Sequence, residues 1–298
     1  MKISVVMATY NGERYLKQQL QSILNQTLKP KEIVVCDDAS IDGTVAILEE
    51  YKQRGELTYT VNNHRLGLID NFKKAVSLAT EGNYVALCDQ DDEWIAEKLE
   101  QSASLLEKID DQKLPCMVYT DLMLVDENEK ILNSSFRSEL GQNKYQHNLE
   151  TLLFGNFVNG CTMLMNPSLR KLFADTPNNV NLNHDGWMAL AAFTFGKTAS
   201  ISTPLVRYRK HDNNLSIAAD TKPRNRFRSV ANELSDAIKG KKDFLSPQFE
   251  TVSRFYDLYK NEITADKRQI FEQFLNLKNK PYIFKKLAFA KIVRKFSL

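Results

Sequence analysis

Through its first hundred residues the chain switches back and forth between two hydrophobic periods, and that alternation leaves few folds open to it. Ile3 to Ala8, Ile33 to Cys36, Leu57 to Val61 and Tyr84 to Cys88 are short, largely apolar runs that read as strands, the continuous ones as strands buried on both faces. Between them, Arg14 to Leu24, Thr44 to Tyr51 and Asn71 to Ala79 repeat at helical spacing; Tyr15, Leu16, Leu20, Ile23 and Leu24 share one face of the first. Strands that alternate with helices pair in parallel, because each helix returns the chain to the same end of the sheet. Two of the runs pass directly into acid clusters, Asp37-Asp38-Ala39-Ser40 and Asp89-Gln90-Asp91-Asp92. Both clusters therefore belong at the C-terminal edge of the sheet, where open α/β folds hold ligands.

After Glu100 the signals are mixed. Cys116 to Thr120 and Ile131 to Leu132 read as strands around a turn, Val158 to Met165 as another strand, and Asp185 to Phe193 as a helix. The polar, Pro-containing stretch from Asn213 to Arg224 marks a break, beyond which the chain is almost wholly helical and basic. The expected organisation is an α/β domain over residues 1–217, in two halves at 1–100 and 101–217, with a helical extension over 218–298. Charge divides in much the same way. Residues 221–298 carry 18 Lys/Arg against 8 Asp/Glu, and the remainder 22 against 29, so a net +3 hides an acidic body and a basic tail.

No window approaches the roughly 18 consecutive apolar residues of a membrane span, and Met1 to Met7 leads into a polar turn without the features of a signal peptide. A cytoplasmic location is expected. Cys36, Cys88, Cys116 and Cys161 form no CxxC pair, which argues against a zinc site or a disulfide framework and for reduced, buried thiols.

The segment Asp89-Gln90-Asp91-Asp92-Glu93-Trp94 places four acids in five positions. Crowded carboxylates raise one another's pKa unless a divalent cation or a hydrogen-bonding ligand offsets the charge. Hard cations such as Mg2+ and Mn2+ take oxygen ligands and share their shell between protein carboxylates and substrate phosphates. The alternative is a solvated loop in which Asp92 and Glu93 serve the first turn of the following helix. In the earlier cluster, Asp42 can cap the next helix and Gly43 ease the turn. That leaves the Asp37-Asp38 pair to accept hydrogen bonds from a base or a ribose.

Taken in order, Ser4-Val5-Val6-Met7-Ala8-Thr9-Tyr10-Asn11-Gly12, Asp37-Asp38-Ala39-Ser40-Ile41-Asp42-Gly43-Thr44 and Asp89-Gln90-Asp91-Asp92 resemble the signature of the family 2 glycosyltransferases, over about residues 1 to 215. The resemblance implies a GT-A fold, a Rossmann-like mixed sheet flanked by helices, with a nucleotide-sugar-binding half at 1–100 and an acceptor-binding half at 101–217. It implies an inverting transfer of a sugar from a UDP- or dTDP-linked donor to a hydroxyl of a glycan or lipid-linked acceptor, assisted by Mn2+ or Mg2+. It also implies roles for individual residues. Thr9 and Tyr10 lie beside the base, Asp38 or else Asp37 meets the base or ribose, and Arg65, in Asn62-Asn63-His64-Arg65-Leu66-Gly67, meets phosphate. Asp91 holds the metal, with Asp89 at the ribose or the metal's outer shell. Asp185, in Asn183-His184-Asp185-Gly186-Trp187-Met188, is the general base, helix capping being its alternative role.

The segment Tyr208-Arg209-Lys210-His211 resembles another family motif, which implies Arg209 and His211 at the diphosphate and His211 as a further metal ligand. Phe157 to Cys161, with Gly160, borders the acceptor, and Trp187 either stacks on a sugar or sits in the core. The His-Asp and Asp-Gln-Asp-Asp forms resemble a rhamnosyltransferase-like branch, which implies bacterial surface polysaccharide synthesis.

On a helical wheel from Lys286 to Phe296, Phe289, Ile292, Val293 and Phe296 share an arc opposite Lys286, Lys291, Arg294 and Lys295. Such a helix suits either an anionic membrane surface, met through residues 281–298, or packing on the body. Nucleic acid is not an expected partner. Two rival classes fit less well. A sugar nucleotidyltransferase needs a Gly-rich basic loop after its first strand, which Ala8-Thr9-Tyr10-Asn11-Gly12-Glu13 is not. A non-catalytic glycan-binding module has no need of acids at three sheet-end sites.

Overall fold

The computed structural model describes residues 1–178, 183–211 and 245–298. Its first hundred residues alternate as the hydrophobic periods require: β1 (Ile3–Thr9), α1 (Glu13–Leu24), β2 (Glu32–Asp37), α2 (Thr44–Gln53), β3 (Thr58–Val61), α3 (Leu68–Leu78) and β4 (Tyr84–Asp89). There follow β5 (Glu93–Trp94), α4 (Lys98–Ile109), β6 (Cys116–Val125), β7 (Ile131–Asn133), α5 (Phe136–Glu139), α6 (Leu149–Phe154), β8 (Met163–Met165), α7 (Pro167–Lys171), α8 (Asn183–Phe195) and β9 (Lys197–Arg209). Three helices close the chain: α9 (Ser246–Tyr259), α10 (Ala265–Leu275) and α11 (Tyr282–Lys295). The break at Asn213–Arg224 and the boundary at 217 lie outside the described residues.

The strands form one sheet in the order β3-β2-β1-β4-β8-β6-β9-β5, with β7 beside β6. Strands β1 to β4 are parallel, β8 runs antiparallel to both β4 and β6, and β9 is parallel to β6, so the sheet is mixed. Side chains on successive strand residues point to opposite faces, and both faces are covered. Val6, Val34, Cys36, Val85 and Leu87 join the core under α3 and α8, while Ile3, Val5, Met7, Ile33, Val35 and Ala86 join the core under α1, α2 and α4. This two-sided burial is why those strands read as unbroken apolar runs.

Two expectations change, and one strand is added. Asp92 and Glu93 do not open a helix: α4 begins at Lys98, and Glu93 and Trp94 pair with Arg207 and Val206 of β9. The strand expected over Val158 to Met165 is shortened to Met163–Met165 by a 3-10 turn at Gly160–Thr162. The thirteen-residue β9 carries too many polar residues to be legible from period; its pairing with β6, interrupted near Asp121, holds it in the sheet.

The C-terminal helices complete the core. Helix α8 is buried nearly all round, which for a helix means cover on every side. The sheet lies on one side and α9 on the other, with the Trp187 ring 5.1 Å from that of Phe255. Trp187 is fully buried there, which overturns its stacking on an acceptor sugar. On α11, Phe289 and Ile292 pack against the same core, and the Phe289 ring lies 5.8 Å from that of Phe154. Part of the arc weighed for a membrane thus faces the protein. No helix among the described residues is long and apolar enough to cross a membrane.

Because α8 and α9 share one core, the chain is expected to unfold in a single transition. Phe255→Ala should lower stability by about 3–5 kcal/mol across that whole transition in urea. Two separable transitions, with only one displaced, would show the C-terminal helices to be an independent unit.

Candidate active site

The parallel register sets Thr9 level with Asp37 and Ala8 level with Asp89, so the ends of β1, β2 and β4 form one edge. Over this edge, Asn159 to Cys161 and the first turn of α8 enclose a cavity of about 680 Å³. Thr9, Tyr10, Asp38, Arg65, Asp89, Asp91, Gly160, Asp185 and His211 line it. Asp37, Arg209 and Trp187 do not.

Asp37 is a scaffold residue. Its buried carboxylate accepts from Thr9 Oγ1 (2.7 Å), Ser40 N (2.9 Å) and Ser40 Oγ (2.6 Å), tying β1 to the turn after β2. With every donor supplied by the protein, it is not the base or ribose contact. Asp38 borders the cavity, and its Oδ1 accepts from Leu66 N (2.7 Å) and Asn62 Nδ2 (3.0 Å) while Oδ2 accepts from Gly67 N (2.8 Å). Gly67 has φ 88, a conformation that favours glycine, and this turn presents its amide to Asp38. The loop so held lays the Arg65 guanidinium over the Tyr10 ring, 4.0 Å from its centroid. Asn71 extends the network, its Oδ1 accepting from Asn62 Nδ2 (2.9 Å) and its Nδ2 donating to Cys36 O (2.9 Å).

Within the acid motif Asp89, Gln90 and Asp91 line the cavity, and Asp92 is buried behind it. Gln90 clamps the Tyr10 backbone, Oε1 accepting from its amide at 2.9 Å and Nε2 donating to its carbonyl at 3.0 Å. Gly12 leaves room for this clamp, because a Cβ at position 12 would fall 2.2 Å from Gln90 Oε1 and force that side chain to move. Asp91 Oδ2 lies 2.9 Å from His211 Nε2, and the His211 ring stacks on Tyr15. Arg209 stands behind this pair. Its Nε donates to Asp91 O (3.2 Å), its Nη2 to Gln18 Oε1 (2.8 Å) and its amide to Asp92 Oδ1 (3.3 Å). At 2% exposure it holds the motif from inside and does not reach a diphosphate, contrary to the role the resemblance implies.

The electrostatics mark where charge is missing. Burial, then the charges of Asp91 and Asp185, pushes the Asp89 carboxyl up from the usual carboxylate range. Burial pushes Asp185 up to about 7, opposed by hydrogen bonds from the Gly186 and Gly160 amides. The ligand atoms of Asp89, Asp92 and Cys161 also lie within 4.8 Å of one another. Burial raises the Cys161 thiol well above its ordinary range, so it stays protonated and is a poor ligand, and Asp92 is buried outside the cavity. Asp91 and His211, 2.9 Å apart, and Asp89 on the same cavity wall offer the oxygen and imidazole donors that a hard divalent cation takes, although their ligand atoms are not drawn together as closely as those of Asp89, Asp92 and Cys161.

His184 also lines the cavity. Its ring packs on Phe72 and Phe173 at centroid distances of 4.5 and 5.8 Å, and burial pushes its pKa down to about 4, leaving it neutral. A Cβ on Gly160 would stand 2.8 Å from its Nε2, so glycine is needed there for packing. Gln90, Tyr15, Asn71 and His184 were not singled out from sequence. Only Gln90 and His184 had a signal, their place inside acid motifs.

A sheet of this order whose parallel strand ends gather acids over one cavity is a GT-A-type transferase. The family model for glycosyl transferase family 2 matches residues 4–173, and the chain belongs to that family. A glycosyltransferase of Methanocaldococcus jannaschii is 32% identical over 222 residues, 72% of this chain and 73% of that protein. The Escherichia coli UDP-Glc:alpha-D-GlcNAc-diphosphoundecaprenol beta-1,3-glucosyltransferase WfgD is 33% identical over 106 residues, 36% of this chain and 41% of WfgD. Among solved structures, S. aureus TarS 1-349 in complex with UDP-GlcNAc superposes with a TM-score of 0.60 at 18% identity, over 99% of this chain and 89% of that one. The protein is thus a family 2 glycosyltransferase with the GT-A fold.

Two outcomes test the site's construction. Gly12→Ala should destabilise the protein by about 1–3 kcal/mol, and Gln90→Ala in the same chain should recover part of that loss, a non-additivity that a double-mutant cycle in denaturant would measure. Asp185 ionises near pH 7 folded but near 4 unfolded, so it lowers native stability as pH rises through that window. Asp185→Asn should therefore match the parent at pH 4 and exceed it by about 1–2 kcal/mol at pH 8, the value being discounted for partial solvent access. Thermal melts without nucleotide or metal would record it.

Proposed function

We propose that the chain is an inverting, metal-dependent glycosyltransferase that moves a sugar from a UDP-linked donor to a hydroxyl of a lipid-linked or glycan acceptor, on the cytoplasmic side of the membrane, in surface polysaccharide synthesis. The observation that carries this is the placing of Asp185, a carboxylate poised near pH 7, across one cavity from the Asp89 and Asp91 carboxylates. A single-displacement transfer needs a base on the acceptor side and charge stabilisation on the leaving-group side, and no covalent nucleophile.

Tyr10 and Thr9 offer the base a floor, with Arg65 stacked on the Tyr10 ring and near enough to the cavity to meet phosphate oxygens. Asp38 keeps that arginine's loop in place rather than binding the donor through a free carboxylate edge. A divalent cation, Mn2+ or Mg2+, held by Asp91 with Asp89 and His211 beside it, would supply Lewis-acid stabilisation of the diphosphate leaving group. Asp185 takes the proton of the acceptor hydroxyl as that oxygen attacks the anomeric carbon. Its two amide partners at Gly160 and Gly186 steady the carboxylate, and a pKa near the working pH keeps it both ionised and basic.

The donor named for the TarS complex and the donor and lipid-diphosphate acceptor named for WfgD support the UDP and lipid-linked choices. A dTDP-linked deoxyhexose remains the second donor, favoured by the Asp-Gln-Asp-Asp and His-Asp forms.

Calorimetric titration with UDP, dTDP and GDP, each with and without Mn2+, tests the donor side. UDP is expected to bind only with the metal, and Asp91→Ala to abolish the metal dependence. On the acceptor side, Asp185→Asn should retain UDP binding while lowering turnover at least a thousandfold, and parent activity should rise with pH towards a plateau above about 7. Equal UDP affinity with and without metal, or turnover surviving in Asp185→Asn, would overturn the assignment.

A further inference from the structure

Helix α11 has two unlike faces. Its inner face, with Phe289 and Ile292, packs on the core, and at its C-terminal end Gln146 N donates to Phe296 O (2.8 Å) and Leu298 N to Lys144 O (3.2 Å). The helix is therefore fixed in orientation by the body. Its outer face carries Ile283, Phe284 and Leu287, exposed by 53, 55 and 59%. At 100° per residue these three fall on the same side as Lys291 and Arg294, one and two turns further on, and both of those are exposed. Lys278 and Lys280 stand just before the helix and are exposed as well. Residues 273–298 contain seven Lys/Arg and no Asp or Glu.

We infer that this outer face docks the enzyme on an anionic lipid bilayer, Ile283, Phe284 and Leu287 entering the headgroup region while Lys278, Lys280, Lys291 and Arg294 meet lipid phosphates. Three large apolar side chains gathered on one exposed helix face are more than the scattered single hydrophobics of an ordinary surface. A row of cations around them, on a segment that has no Asp or Glu of its own and whose ion pair Lys295–Glu150 involves none of these four cations, matches the negative potential of an anionic leaflet and would repel a second copy of the same face. A nucleic acid would use the cations but not the apolar cluster. The helix lies in the interface rather than spanning it. The inference rests on α11 and the two lysines before it and stands whether or not the donor assignment holds.

The test is flotation of the full chain with POPC vesicles and with 7:3 POPC:POPG vesicles at 50 mM and 500 mM NaCl, alongside light scattering for mass and UDP titration on the same samples. Binding is expected to the anionic vesicles at low salt, at least tenfold weaker to POPC and to anionic vesicles at high salt, since each surface cation is worth about fivefold in partitioning. Phe284→Glu with Leu287→Glu should cut vesicle binding at least tenfold, and Lys291→Glu with Arg294→Glu should cut it only for anionic vesicles, with melting temperature and UDP response unchanged. A parent chain that does not float, variants that float like the parent, or a dimer that the first variant renders monomeric would each overturn the inference.

Discussion

Carboxylates that share a poorly solvated cavity repel one another, and much of this molecule serves to hold three of them there. Asp89 comes from the end of β4, Asp91 from the turn after it and Asp185 from the first turn of α8, and together they line one cavity. Burial raises the Asp89 and Asp185 carboxyls alike, and the charges of Asp91 and Asp185 raise Asp89 further. A flexible loop would relax by swinging the charges into water. Here β4 is pinned between β1 and β8, and α8 between the sheet and α9, so the repulsion persists until a cation or a protein-bound proton offsets it.

The rigidity comes from polar groups whose hydrogen bonds are taken up by the protein itself. Asp37 ties β1 to β2, Gln90 clamps Tyr10, Asp38 anchors the Arg65 loop, and Arg209 grips the Asp91 carbonyl from behind. Asp37, Asp38 and Arg209 are buried, and each group is bonded to backbone or to a neighbouring side chain, the condition under which polar groups stabilise a unique geometry. The strand ends at Asp89, and the turn that follows keeps Asp89, Gln90 and Asp91 along the cavity while Asp92 is buried behind it.

The C-terminal helices play a comparable double part. Their inner faces complete the core that immobilises α8, and with it the candidate base. The outer face of α11 is free of that duty and carries a different composition, apolar towards its N-terminus and basic towards its C-terminus. A single helix thereby links the packing of the catalytic half to the surface the molecule presents.

The sequence alone determined the parallel half of the sheet, because strands buried on both faces and helices buried on one leave unmistakable periods. It also determined which loops hold the chemistry, since acids directly after buried strands have only the sheet edge to occupy. It did not separate Asp37 from Asp38, adjacent residues of one type whose partners differ, nor show that Arg65 borders the cavity while Arg209 is buried behind it, since that depends on contacts distant in sequence. Nor did it determine which side of α11 faces out. The wheel grouped Phe289, Ile292, Val293 and Phe296, but only contacts with Phe154 and its neighbours reveal that Phe289 and Ile292 face the protein and leave Ile283, Phe284 and Leu287 outside. Orientation of this kind depends on partners distant in sequence, and only the folded chain brings those partners together.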